Sequence, residues 1–165
     1  MYTGDALAVR IAHDEHRRLY DYWQTKAPPG KLPARKDIDP LDIPGMLPRI
    51  ALIDVLREAE GVTFRYRLAG TEIVERAGRD PTGRRFDELY RGDYLVNAVN
   101  TYSHIVEAAA PHLSERTFPL VEGKEFLRYD RLILPLAADG RTVDMLILLI
   151  AVIEHRRDDR PSANR

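Results

Sequence analysis

Nine consecutive apolar residues, Met145 to Ile153, form the longest such run in a chain of 165 residues. A membrane-spanning helix needs about 20, so this run reads as a buried strand. Taken at period two, Val143, Met145, Ile147, Leu149 and Ile153 point one way. Leu146, Leu148, Ile150 and Val152 point the other. A strand with two apolar faces must be covered on both. The fold therefore needs a layer on each side of a sheet. Central helices can supply one cover, and an N-terminal helix or a second subunit the other.

The rest of the composition fits one ordinary globular domain. The apolar fraction is 44% and the charged fraction 31%, which does not suit a disordered chain. A formal net charge of −1 gives no field to gather nucleic acid or an anionic membrane. There are no cysteines, so disulfides, thiolate nucleophiles, Cys-ligated zinc and iron–sulfur clusters are excluded. The first residues show no basic stretch followed by an apolar one. The expectation is a cytoplasmic protein with no membrane span.

Residues 5–27 read as one helix, with no Pro or Gly from Ala6 to Ala27. Ala8, Ala12, Leu19 and Trp23 share one face, interrupted by Glu15. Pro28-Pro29-Gly30 ends it. Asp39-Pro40 is a cap and first-turn pair for a short helix. Residues 49–56 and 62–69 read as strands joined at Glu60-Gly61. In the second, Val62, Phe64, Tyr66 and Leu68 alternate with Thr63, Arg65 and Arg67. A short helix follows from Thr71, its expected N-cap, and another turn spans residues 86–90. A longer helix over 92–110 carries Leu95, Val99, Tyr102, Val106 and Ala109 on one stripe. Strands are expected at 113–121, 125–137 and 142–154. Glu122-Gly123 separates the first two, and Asp139-Gly140 makes a type I′ hairpin between the last two.

The order helix, two strands, helices, three strands predicts an α+β fold, a five-stranded antiparallel sheet with helices on one face and an extra N-terminal helix. This layout resembles a PAS domain, in which the first and last strands pair at the sheet centre. Local motifs are similar to those of stand-alone bacterial PAS-like proteins labelled as a domain of unknown function. They are Tyr22-Trp23, Leu32-Pro33-Ala34-Arg35, Asp37-Ile38-Asp39-Pro40, residues Arg65 to Thr71, Gly78 to Gly83, and Leu134-Pro135-Leu136 before Asp139-Gly140. The resemblance implies a sensory or signalling role and brings no established ligand. It divides the chain into a capping or dimerisation helix (1–30), a PAS-like domain (31–155) and a charged tail (156–165).

Candidate chemistry is sparse. His13 and His16 stand at i, i+3, a spacing that suits a metal, but no further ligand is evident, and they read as a solvated polar patch with no metal. An axial haem ligand is disfavoured, since His104 lies opposite the apolar stripe of its helix, and His112 is little better placed. Without cysteine, a covalent flavin adduct or a thioester chromophore is excluded, and any cofactor is unknown. No catalytic residues are assigned. Ser103 and Ser114 have no nucleophile-elbow context, and residues 78–83 lack the ending of a phosphate loop. Arg65 and Arg67, with Arg128 or Arg131, could bind an anionic metabolite; ion pairs to Asp54, Asp130 and Asp144 are the favoured alternative. Any pocket is expected to use Tyr66, Arg67, Tyr102, Tyr129 and Arg131. Leu19, Tyr22 and Trp23 are expected to cap a sheet face or meet a mate in a homodimer.

The function expected is a stand-alone PAS-type sensor that binds a small ligand or a partner protein and relays it through protein contacts, without catalysis. With no kinase, cyclase or DNA-binding segment in view, output would pass through an unknown signalling partner or through self-association. The alternative is a cone-shaped α+β domain that binds a small molecule and has weak enzymatic activity. The single long N-terminal helix before the sheet favours the PAS order.

Overall fold

The computed structural model describes residues 4–120 and 125–157. The turn expected at Glu122-Gly123 and the tail beyond Arg157 lie outside the described residues. Five antiparallel strands are seen among the described residues: β1 (Ile50–Glu58), β2 (Gly61–Ala69), β3 (His112–Leu120), β4 (Glu125–Leu136) and β5 (Met145–Arg157). Their order is β2-β1-β5-β4-β3. The doubly apolar strand β5 is therefore central. Leu149 faces Ile50 of β1 on one side and Leu132 of β4 on the other.

Helices cover both sides. α1 (Gly4–Arg10), α2 (Asp14–Lys26) and 3-10 turns between residues 35 and 49 lie on one face. There Leu19 and Trp23 pack with Ile50, Leu52, Leu132, Leu134, Ile147 and Leu149. α3 (Thr71–Ala77), α4 (Phe86–Leu89) and α5 (Gly92–Ala108) lie on the other. There Phe86, Tyr102, Ile105 and Val106 pack with Ile53, Phe64, Ile133, Leu146, Leu148 and Ile150. Each fully buried Leu or Ile contributes roughly 1.5–3 kcal/mol, so both layers matter to stability. The second cover comes from the chain's own N-terminus.

The N-terminal helix is not continuous. It breaks at residues 11–13, where His13 is extended (φ −93°, ψ 130°). Asp14 and Glu15 occupy the first turn of α2, where negative charge is favoured. Arg17 Nη2 donates to the carbonyls of Ala8 (2.5 Å) and Ile11 (3.2 Å), capping the end of α1. The break redirects the apolar face. Leu7 and Ile11 enter the core while Ala12 is exposed, and Glu15 accepts from Arg49.

Three further expectations are corrected. In β2 the register passes from Ile53–Tyr66 to Leu52–Leu68, leaving Arg67 unpaired in a bulge. Leu68 therefore leaves the face of Phe64 and Tyr66 and borders a groove with Ile50, Leu52 and Ile147. Gly70, not Thr71, is the N-cap of α3. Its backbone N–H donates to Ile50 O (2.8 Å), and a Cβ there would meet Leu47 O and Pro48 O at 2.3 Å. Between β4 and β5, Leu136 pairs with Met145, so residues 137–144 form a longer loop and not a two-residue hairpin. Asp139 Oδ1 accepts from Arg141 N and Thr142 N (both 2.7 Å), a side-chain turn that replaces the ladder. That loop turns Val143 into the core on the α5 side, away from Ile147 and Leu149. Asp39 caps Pro40–Asp42 as its sequence demands, accepting from Leu41 N (2.9 Å).

Candidate functional site

Between the sheet and helices α3 to α5 lies a cavity of about 430 Å³. It lies under the short helices α3 and α4 and beside Tyr94, Ala98 and Tyr102 of α5, while Ile105 and Val106 further along α5 close-pack on the strands. Five tyrosines wall it: Tyr66 on β2, Tyr90 after α4, Tyr94 and Tyr102 on α5, and Tyr129 on β4. Phe86 sits among them, its ring 5.3 Å from Tyr66, 5.4 Å from Tyr90 and 5.1 Å from Tyr102. The phenols of Tyr66 and Tyr90 share a hydrogen bond of 2.9 Å. Burial pushes Tyr90 up to about 12 and raises Tyr66, Tyr102 and Tyr129 as well. These phenols therefore stay neutral near pH 7 and act as hydrogen-bond donors and acceptors, not as bases.

The charge at the cavity is of one sign. Arg76 of α3, Arg116 of β3 and Arg131 of β4 line it, and no Asp or Glu does so among the described residues. Arg131 Nη1 donates to Tyr102 Oη (3.2 Å), and its guanidinium lies 5.2 Å from the centre of that ring. Its Nε and Nη2 are shielded from solvent and meet no acceptor among the described residues. Ser114, opposite Arg131 in the β3–β4 ladder, has an unpartnered buried hydroxyl. His112, two pairs further along, is 2% exposed, and neither ring nitrogen has a partner among the described residues. Burial, reinforced by Arg131 and Arg116, lowers its pKa to about 4 and keeps it neutral.

Four of the five expected pocket residues, Tyr66, Tyr102, Tyr129 and Arg131, meet at this cavity. Arg67 does not. The bulge keeps it beside Arg65, and both pair with Asp54 across the sheet from the cavity. Asp54 is 5% exposed and stands between Ile53 and Val55, which face the α5 side. Arg65 Nη2 donates to it at 2.8 Å and Arg67 Nε at 3.0 Å. Arg128 pairs with Glu115 (3.0 Å).

The histidine pair is not a solvated patch. His16 is fully buried and its Nε2 meets Leu149 O at 3.0 Å, while His13 Nε2 faces Asp130 Oδ2 at 2.9 Å. His104 is exposed on α5. Leu19 and Trp23 are buried within the chain, and Trp23 Nε1 donates to Pro135 O (2.9 Å). Tyr22 donates to Asp42 Oδ2 (2.8 Å) and accepts from Asp39 N (2.9 Å), pinning α2 to the 3-10 turns. Tyr90, Tyr94 and Arg116 escaped the sequence reading. Arg116 follows His112 and Ser114 at period two, a spacing visible in the sequence, whereas Tyr90 and Tyr94 flank the start of a helix at Gly92 and carry no such signal.

A central terminal strand and a sheet covered on both faces frame this cavity in an α+β fold of the PAS type. A family model described as PAS domain matches residues 11–150, and the chain belongs to that family. Among solved structures, a fungal LOV domain photoreceptor matches with a TM-score of 0.44 and 15% identity, over 72% of this chain and 94% of that one. No curated protein matches. No helix among the described residues is long and apolar enough to cross a membrane.

Proposed function

We propose that this PAS domain senses a small molecule held in the cavity beneath α3 to α5 and relays occupancy through protein contacts, without catalysis. The cavity carries the reading. Its 430 Å³ falls in the range of small-ligand sites, roughly 300–1,000 Å³, and it joins apolar walls to a few polar groups. Its lining offers no carboxylate, histidine, serine or cysteine among the described residues, and its phenols are neutral. That set orients a ligand better than it transfers protons.

β5 supplies a route for relay. Leu148 and Ile150 line the cavity, and the intervening Leu149 supports the N-terminal layer. A small displacement of β5 is felt on the opposite face, where a partner protein or a second copy would read it. Native mass spectrometry with an absorbance scan of the purified protein tests the reading. A bound small molecule that Ala98→Trp displaces is expected, because Ala98 lines the cavity. Retention of the same molecule by that variant sinks the site assignment. Light scattering at high micromolar concentration checks self-association, and a strict monomer removes the second copy as receiver.

A further inference from the structure

We infer that the cavity takes a small organic carboxylate with a flat apolar body, held by the guanidinium of Arg131. The inference rests on the ligand-binding reading above and names the ligand class. Arg76 has Glu72 beside it (3.6 Å), whereas no carboxylate pairs with Arg116 or Arg131 among the described residues. Arg131 is the deeper of the two, with Nε and Nη2 shielded from water. Those two N–H groups lie on one edge of the planar guanidinium and point the same way. The pair matches the two oxygens of a carboxylate. Unpartnered donors of a buried cation are costly, and a bound anion relieves that cost. Among the described residues Arg131 is held by the Tyr102 hydroxyl and ring, so its side chain can turn the free edge to the cavity it lines. Ala51, Phe86, Leu148 and Ile150, with the tyrosine rings, set the shape of the body. One deep guanidinium suits a monoanion better than a phosphate dianion.

Calorimetry with phenylacetate, phenylacetamide, phenethylamine and inorganic phosphate tests this. Phenylacetate is expected to bind at least about tenfold tighter than its neutral amide, with the amine and phosphate weaker still. Arg131→Gln is expected to erase the acid-over-amide preference, and Arg67→Gln, across the sheet, to keep it. Should Arg131→Gln not fold, Arg131→Lys retains charge without the fork and is expected to lose most of the preference. Equal binding of acid and amide overturns the carboxylate class and leaves the cavity reading standing. Tighter binding of phosphate than phenylacetate, or an undiminished preference in the Arg131 variants, overturns it too. Binding of none of the four probes overturns this inference and counts against the cavity reading as well.

Discussion

A carboxylate on a central strand with its back to a sheet needs cations of its own, and Asp54 has two. It accepts from Arg65 Nε (3.0 Å) and Nη2 (2.8 Å) and from Arg67 Nε (3.0 Å). The arginine side chains are 40% and 56% exposed while that of Asp54 is 7%. Losing one arginine leaves Asp54 paired with the other, whereas losing Asp54 removes the charge-assisted hydrogen bonds of both arginines at once. Asp54→Ala is therefore expected to cost about 2 kcal/mol in urea unfolding, and Arg65→Ala well under half of that. His16 gives a pH prediction. Burial, with His13 adding like charge, lowers its pKa from 6.5 to about 4. The unfolded chain takes up a proton first as pH falls, so the neutral buried ring stabilises the fold fully above about pH 6.5. That stability is lost progressively toward pH 4, to about 3 kcal/mol in all. His112 titrates in the same direction. Urea midpoints measured at several pH values between 6.5 and 5, above most carboxylate titration, should fall. His16→Gln, which keeps a donor for Leu149 O, should show a shallower fall.

At the scale of elements, Gly70 fixes how β2 meets the 3-10 segment before β1. It is not there for a positive φ; its φ is −66°. It is there because the carbonyls of Leu47 and Pro48 stand where a Cβ would go. Both obstacles are backbone and cannot swing away. Gly70→Ala is expected to cost about 3 kcal/mol or more by thermal or urea unfolding. A cost near zero would show that the segment shifts freely. Nothing in the sequence around Gly70 distinguishes this role from a turn glycine, because close approach is a tertiary fact. The same limit explains the other discrepancies. The alternation in Met145 to Ile153 was legible since burial on two faces leaves no polar residue. The bulge at Arg67 was hidden, because one skipped pairing changes no residue type and yet sends Leu68 to the other face. The break at residues 11–13 has no Pro or Gly; the capping by Arg17 from the next helix makes it. Tyr66, Tyr102, Tyr129 and Arg131 were legible as amphipathic residues on half-buried elements. Tyr90 and Tyr94 were not, since they flank an apparent helix start and their convergence with Phe86 depends on how α4 and α5 meet.

At the scale of the molecule, the two helical layers share one sheet and are not expected to unfold apart. Trp23, the only tryptophan, reports on the α2 side, where it donates to Pro135 O of β4. Ile105, 1% exposed on α5, belongs to the opposite core. The connection between them is β5, whose Leu146 and Leu148 pack with the Ile105 group and whose Ile147 and Leu149 pack with the Trp23 group. Unfolding either layer exposes every second residue of that strand, so neither layer keeps its partner surface alone. Trp23 emission and far-ultraviolet circular dichroism should then give coincident urea transitions. Ile105→Ala removes packing only on the cavity side, at a cost of about 2–5 kcal/mol. It should nevertheless lower the Trp23 midpoint by as much as the dichroism midpoint. A Trp23 transition that stays in place while the dichroism shifts would mean that the N-terminal layer holds to the sheet independently. In that case β5 would not couple the two faces, and relay from the cavity would need another path.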